Sequence, residues 1–355
     1  MGPEYGDAVK RKILVTGASG QDGFYLIDLL RKQGCVVHAQ SRRQTHPNLH
    51  QDGTHWHVGD PTDGDFLDSL IASVMPDEIY NFAAISRPVL SWGLPRETAE
   101  VNAFLPQQIC ELLLKHKPGC RLFQASSSEI FGDSADRVQD EQTLCVPKSP
   151  YGTAKLYAHR IIGAYRTQYG LHASTGILFN HESPQRPLSF VWQKIAYAAA
   201  AISVGLTHTS ETDERGQPIL RDGKIALGDL SVRRDFGFAG DYVEVMRLIV
   251  QHHTADDYVI GTGEDHSIEE FCNEAFSLVG HKWTDHVSVD PGLLRKVDSH
   301  YTHANAAKIR SVLNWRPKIG FRELVSIMVK AQINFIQSNA PLSGEPIIGH
   351  RSVEC

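Results

Sequence analysis

The sequence predicts an α/β protein built on a doubly wound parallel sheet, with a smaller C-terminal α/β region that binds substrate. Short apolar strands alternate with helical stretches through the first half of the chain. A glycine-rich turn joins the first strand to the first helix, and the polar motifs fall at the carboxyl ends of strands, where open parallel sheets bind their ligands.

Ile13-Leu14-Val15 is a short apolar run ending in Thr16-Gly17-Ala18-Ser19-Gly20-Gln21-Asp22-Gly23, after which Phe24, Leu26, Ile27, Leu29 and Leu30 recur at helical spacing. This is the strand, turn and helix of a Rossmann-type unit. Gly17, Gly20 and Gly23 let the backbone approach a pyrophosphate, which then sits at the positive end of the helix dipole. A second strand, residues 36–40, ends at Ser41-Arg42-Arg43. An NAD site of this type places an acid there for the ribose hydroxyls. Two arginines suit a 2′-phosphate instead, so the expected cofactor is NADP. Two solvated loop arginines are the competing reading. Further strands cover 55–58 before Gly59-Asp60, 78–82 before Ala83-Ala84, and 121–125 before Ser126. Residues 17–23, Asp60, 83–86 and 126–129 therefore converge on one cleft.

Ser149-Pro150-Tyr151-Gly152-Thr153-Ala154-Lys155 opens the next helix, with Pro150 suited to its first turn. Tyr151 and Lys155 stand at i and i+4, on one face. Such a pair can make a base of a phenol. Bringing a tyrosine from near 10 to about 7 takes roughly 4 kcal/mol. One ammonium about 4 Å away supplies that amount at an effective dielectric of about 20. A surface tyrosine beside a surface lysine is the bland alternative, and the Ser126-Ser127-Ser128-Glu129 cluster weighs against it.

The helix continues through Tyr157, Ile161, Ile162 and Tyr165, and a strand near 174–179 leads into Asn180-His181-Glu182-Ser183-Pro184. Residues 209–218 read as an exposed loop or hairpin insertion. Arg233-Arg234-Asp235-Phe236 and Arg295-Lys296-Val297-Asp298 offer basic residues to a second diphosphate, against the competing reading of a surface ion pair. Length permits one large domain or two joined ones. The expected division is 11–180 for the dinucleotide unit with the catalytic residues and 181–335 for a mostly substrate-binding region, some segments of which return to the sheet. Residues 336–355 form a tail.

A net charge of −6 and a pI near 6.3 argue against a bulk nucleic-acid binder or a polybasic membrane anchor. The six cysteines are dispersed without a C-x-x-C pair, so neither a disulfide framework nor a zinc site is expected. The histidines show no ligand spacing such as H-E-x-x-H, and no metal is expected. The N-terminal residues lack a basic and an apolar segment, and no apolar run reaches the length of a membrane span. The expectation is a soluble, cytoplasmic protein.

With these residues assembled, the chain resembles the extended short-chain dehydrogenase/reductases, and among them the GDP-mannose 4,6-dehydratases, over roughly residues 11–335. The resemblance is carried by the 16–23 turn, by Gln124-Ala125-Ser126-x-Ser128-Glu129, by the stretch from Ser149 through Leu156-Tyr157-Ala158, and by Gly176-Ile177-Leu178-Phe179-Asn180-His181-Glu182-Ser183-Pro184. It implies Tyr151 and Lys155 as the catalytic pair, Glu129 as acid/base, and Ser127 at a position where the family usually carries threonine. Cofactor contacts are implied for Gly17, Gly20, Gln21, Asp22, Gly23, Arg42, Arg43, Asp60, Ala83, Ala84, Ser86, Tyr151, Lys155, His181 and Arg186. Nucleotide-sugar contacts are implied for Ser86, Ser127, Glu129, Asn180, Lys194, Gly228, Arg234 and Arg295, with Asp298 where the family has glutamate. A homo-oligomer, dimer or tetramer, is implied as well.

Three features depart from the family pattern. The loop after Arg43 is shorter, residues 206–224 look inserted, and the stretch before Arg295 lacks a long loop. The implied reaction is loss of water from a GDP-sugar, mannose or a relative, to give the 4-keto-6-deoxy sugar with NADP recycled in each turnover. A nucleotide-sugar 4-epimerase would need no carboxylate at C5, and a 4-keto sugar reductase would consume NADPH. A catalytically idle nucleotide sensor would not need Ser127, Glu129, Tyr151 and Lys155 together.

Overall fold

The first strand, β1 (Lys12–Thr16), has one exposed residue followed by four buried ones, the pattern of a strand covered on both faces. The computed structural model describes residues 10–43, 53–132, 134–294 and 301–339 of the chain. They divide into two compact units, neither continuous in sequence. The first holds residues up to Ile130 with Ser149–Ile177 and Val243–Tyr258; the second holds Phe131–Lys148, Leu178–Tyr242 and the chain from Val259.

In the first unit β1 leads through the glycine turn to α1 (Gln21–Lys32), and β2 (Val36–Ser41) is followed by β3 (Thr54–Val58). Next come α2 (Gly64–Val74) and β4 (Glu78–Asn81), then α3 (Pro95–Ala99), which passes through a π turn into α4 (Leu105–His116). β5 (Arg121–Ala125), α5 (Pro150–Tyr169) and β6 (Ala173–Leu178) complete the series. Seven strands form one sheet in the order Asp257–Ile260, β6, β5, β4, β1, β2, β3, and every pair among β1 to β6 is parallel. The expected doubly wound sheet is present. Strand order reverses between β1 and β4, which opens a crevice beyond their carboxyl ends.

The helix ends follow local chemistry. Asp63 caps α2 by accepting from the Asp65 and Phe66 amides, and the helix stops at Met75 in the left-handed region. Ser149 accepts the Gly152 amide, Pro150 takes the first helical position, and Gly170 closes α5 at φ 68°. Leu14, Ile79 and Leu122 of the sheet pack with Leu67, Ile71, Ile109, Leu113 and Ile162 of the helices.

The second unit has a small sheet centred on the strand Arg233–Phe238, which pairs with Asp265–Ser267, Tyr301–Thr302 and Asn180–Glu182. Its core surrounds the helix Val191–Ser203, where Ala198, Ala199, Ala200 and Ala201 are fully buried. These small side chains let the helices Phe321–Ser338 and Ile268–Leu278 approach closely. The helix through Ser338 means that the first residues of the expected tail are helical; residues 340–355 lie outside the described set.

Residues 209–218, expected as an exposed loop or hairpin, carry an antiparallel bridge between Thr212 and Pro218, and the inserted-looking 206–224 stretch continues into Ile219 and Leu220, which are buried in this core. One sequence expectation changes here. The Arg-Arg-Asp run is not a simple surface pair. Asp235 is fully buried and accepts from the Thr262 and Gly263 amides at 2.9 and 2.8 Å, the Thr262 hydroxyl at 2.7 Å and the Ala304 amide at 3.1 Å. It ties two loops to the central strand. Burial still pushes its carboxyl up against the pull of these donors.

At the outer edge of the first unit, His38 of β2 stacks on His55 and His57 of β3, with His38 Nδ1 2.9 Å from His57 Nε2. Burial, the two neighbouring imidazoles and Lys12 push His38 down from its ordinary 6.5 to about 4, and His57 is lowered by burial and His55. A depressed histidine is neutral in the fold while the unfolded chain takes up protons, so stability falls as pH drops from 6.5 towards about 4. The Tm of the parent should therefore drop more steeply across that window than the Tm of His38→Gln. Parallel Tm profiles for the two proteins would show that the stack does not set this dependence.

Candidate active site

The Rossmann-type turn depends on two glycines. Gly17 has φ 62°, and a Cβ there would lie 2.6 Å from the Ala83 amide nitrogen; a Cβ on Gly23 would lie 2.3 Å from the Ala18 carbonyl. Gly20 closes the turn by donating its amide to the Gly17 carbonyl at 3.1 Å. Gln40, which sequence reasoning missed, is fully buried; it accepts the Gly17 amide at 3.0 Å and donates to the Gly59 carbonyl at 2.7 Å. No side chain caps Gly20 at the start of α1. The close approach of backbone at Gly17, Ala83 and Gly23, together with this uncapped helix start, fits a dinucleotide pyrophosphate.

Gln21 is buried and Asp22 half-buried in the first turn of α1. Arg42 and Arg43 are exposed just past β2. Asp60 is exposed too, and its carboxylate accepts the Thr62 amide and hydroxyl at 2.9 and 2.7 Å, so in this structure it shapes its own turn. Ala83 is buried, while Ala84 and Ser86 are half-buried beyond β4.

Ser127, Glu129, Tyr151 and Lys155 lie in the same unit. Ser127 is 9% exposed, and its Oγ accepts the Glu129 amide at 3.2 Å. Glu129 occupies a single 3-10 turn, Ser128–Ile130, and is half-buried between two buried neighbours. The Tyr151 amide donates to Ser91 Oγ at 3.2 Å. Lys155 is 3% exposed; its Nζ lies 5.9 Å from the centroid of the Tyr151 ring and donates to the Ala125 carbonyl at 3.0 Å. Burial pushes the Lys155 ammonium down to about 8, with Asp22 acting in the opposite direction. At neutral pH the ammonium is therefore mostly charged and able to favour a phenolate beside it.

In the second unit, Asn180 opens the strand Asn180–Glu182. His181 is buried, stacks on Tyr242 at 4.8 Å, and holds its Nδ1 2.9 Å from the Phe179 carbonyl. Arg186 pairs with the buried Glu182 at 3.1 Å and lies over the Phe190 ring. Lys194 is buried and paired at 3.3 Å with Glu214 of the 206–224 segment, a partner that sequence reasoning missed. A Cβ on Gly228 would lie 2.8 Å from the Leu293 carbonyl. Arg233 is taken up by Asp265 and Glu270, whereas Arg234 is buried with one guanidinium nitrogen 2.9 Å from the Arg233 carbonyl. Arg295 and Asp298 lie outside the described residues. Among the described residues no helix is long and apolar enough to cross a membrane, and no group of three or more His, Cys, Asp and Glu could hold a metal ion.

A family model described as GDP-mannose 4,6 dehydratase matches residues 14–328. The chain is 38% identical to GDP-mannose 4,6 dehydratase 1 of Arabidopsis thaliana, over 95% of this chain and 94% of that protein. Among solved structures, the UDP-glucose 4-epimerase of Thermotoga maritima gives a TM-score of 0.79 at 20% identity, covering 92% of this chain and 99% of that one. The dTDP-glucose 4,6-dehydratase of Bacillus anthracis, solved in complex with NAD, gives 0.76 at 19% identity, covering 92% and 98%. Likeness at those identities speaks for the fold, and the longer agreement in sequence speaks for kinship: the chain belongs to the GDP-mannose 4,6 dehydratase family.

Proposed function

We propose that the protein is a hydro-lyase, a nucleotide-sugar 4,6-dehydratase that converts GDP-mannose or a related GDP-sugar to its 4-keto-6-deoxy derivative. The observation that carries this reading is the joint occurrence of Ser127, Glu129, Tyr151 and the buried Lys155 in one unit with the glycine turn. Family membership supports the substrate class.

Bound NADP would take a hydride from C4 of the sugar and return it to C6. Tyr151, as phenolate beside the Lys155 ammonium, takes the proton of the C4 hydroxyl. Ser127 donates a hydrogen bond to the C4 oxygen as it becomes a ketone. The ketone acidifies C5, and Glu129 removes that proton. Glu129 then gives that proton to the departing C6 hydroxyl, which leaves as water, and the proton held by Tyr151 returns to C5, directly or through water, which restores the phenolate. Half-burial of Glu129 suits a carboxylate that must both accept and donate. Arg186, His181, Asn180, Lys194, Gly228 and Arg234 belong to the same reading as contacts of the cofactor and the nucleotide sugar. It also takes the chain as a cytoplasmic homo-oligomer with no nucleic-acid or membrane partner.

NADP rather than NAD is inferred from Arg42 and Arg43, exposed at the end of β2 where a 2′-phosphate would lie. Replacing both by alanine should reduce the NADP-over-NAD preference by about 10- to 100-fold, the size of charge-assisted contacts to one phosphate. An unchanged ratio of kcat/KM for the two cofactors would refute the assignment. A panel of GDP-, UDP-, CDP- and dTDP-sugars, followed by product mass, tests the substrate class through loss of one water without net reduction of cofactor.

Glu129→Gln separates dehydratase from epimerase, because its work begins only after the C4 ketone exists. The variant should bind both ligands and form some reduced cofactor. It should lose deuterium wash-in at C5 together with water loss, by about 10²- to 10⁴-fold. Turnover near the parent rate would make Glu129 a structural carboxylate and favour the 4-epimerase.

A further inference from the structure

Three polar side chains occupy the interior of the parallel sheet. Thr16 closes β1, Asn81 closes β4 and Gln124 is the penultimate residue of β5, and they are 0%, 0% and 1% exposed. The register sets Thr16 opposite Asn81 and Asn81 opposite Gln124, so the three form a row on one face. Burying such groups is costly unless each is paired. Here they pair with one another. Thr16 Oγ1 donates to Asn81 Oδ1 at 2.5 Å, Asn81 Nδ2 donates to Gln124 Oε1 at 2.7 Å, and Gln124 Nε2 donates to the Ala125 carbonyl at 2.9 Å.

The row ends where Lys155 begins. The Ala125 carbonyl also accepts Lys155 Nζ at 3.0 Å. A carbonyl has two lone pairs, so the Gln124 amide occupies one direction and leaves a single direction for the ammonium. Asp22, acting from α1, is the charged group that bears on Lys155 through space, while the Lys155 ammonium itself bonds the Ala125 carbonyl.

We propose that Thr16, Asn81 and Gln124 are positioning residues for the catalytic pair: their hydrogen-bond row orients the Ala125 carbonyl, and that carbonyl holds the Lys155 ammonium at its place beside Tyr151. This rests on the reading of Tyr151 and Lys155 as the acid/base pair. Because Thr16 directly precedes Gly17, the row also joins the cofactor turn to the catalytic lysine. The Thr16 hydroxyl has a second role. It supplies the donor that Asn81 Oδ1 needs once the Ala125 carbonyl, which can only accept, has turned the Gln124 and Asn81 amides to donate towards it.

The consequence is electrostatic. Moving an ammonium outward by about half its distance removes about a third of its effect on a phenol, a shift of about one pH unit. The test uses the full chain with NADP added. Ultraviolet difference titration against a Tyr151→Phe background reads the Tyr151 phenol alone, with no sugar present. In Gln124→Met, which keeps volume and loses the amide, the midpoint should rise by about one unit. In Thr16→Val it should rise by less. With substrate, kcat/KM should fall about tenfold below the acid limb and recover above it. Unchanged midpoints in both variants, with rates lowered equally at every pH, would overturn the proposal and leave the row a purely stabilising feature. Should Gln124→Met not fold, Thr16→Val carries the same reading. Since the titration needs no sugar, failure of the dehydratase assignment and failure of this proposal are separately visible.

Discussion

The approach of Gly17 to Ala83 sets the geometry on which the first unit depends. β1 and β4 are hydrogen-bonded neighbours whose chains leave the sheet in different directions, and their ends meet with no room for a side chain between them. Any Cβ at Gly17 would collide with the Phe82 and Ala83 backbone and push the two strand ends apart. The same approach brings the start of α1, the residues beyond β4 and the end of β5 to one rim. A cofactor turn and an acid/base pair can share that rim only because the backbone is this tightly drawn.

Two demands on Lys155 oppose each other. An ammonium acts strongly on a neighbouring phenol only where water is excluded, yet exclusion of water erodes the charge itself. The structure meets both in part. Burial brings Lys155 to about 8, low for a lysine but still above neutrality, and a fixed carbonyl with a more distant carboxylate at Asp22 holds it there. Asp235 in the second unit is the counterpart with opposite sign: a buried carboxylate held by amides and a hydroxyl, whose work is to join loops. Burial alone does not distinguish a catalytic charge from a structural one. What distinguishes them is whether the surrounding donors or acceptors use up the group's bonding capacity, as they do at Asp235, or leave some of it for a neighbour.

Much of the first unit was legible because its signals are local. The glycine turn, the capping Ser149 with Pro150, and strand five over 121–125 are each written within a few residues, and the strand expected near 174–179 is found at Ala173–Leu178. Residues 209–218 were legible as a loop or hairpin from their polar composition, whereas the burial of Ile219 and Leu220 just beyond them depends on packing partners far along the chain. Asp235 could not be read at all. Its donors lie at 262, 263 and 304, far along the chain, and nothing in Arg-Arg-Asp-Phe announces them. The return of 243–258 to the first unit and of 131–148 to the second is likewise a matter of long-range pairing.

The Thr16, Asn81 and Gln124 row lies between these cases. Each residue stands near the carboxyl end of a strand that is otherwise apolar or buried, and a polar residue there is a visible anomaly in any one strand. Taken singly, each reads as the point where a strand leaves the sheet for solvent. Only the register reverses that reading, because it lines the three up on one face and buries them together. A buried hydroxyl and two amides are tolerated when each completes the next, and such a row takes its direction from the carbonyl at its end, which can only accept. In a parallel sheet this direction points from the first strand towards the helix that carries Lys155. Polar residues recurring at equivalent ends of successive parallel strands are therefore a sequence signal for a side-chain row, and the group at its acceptor end is the place to look for the charge it orients.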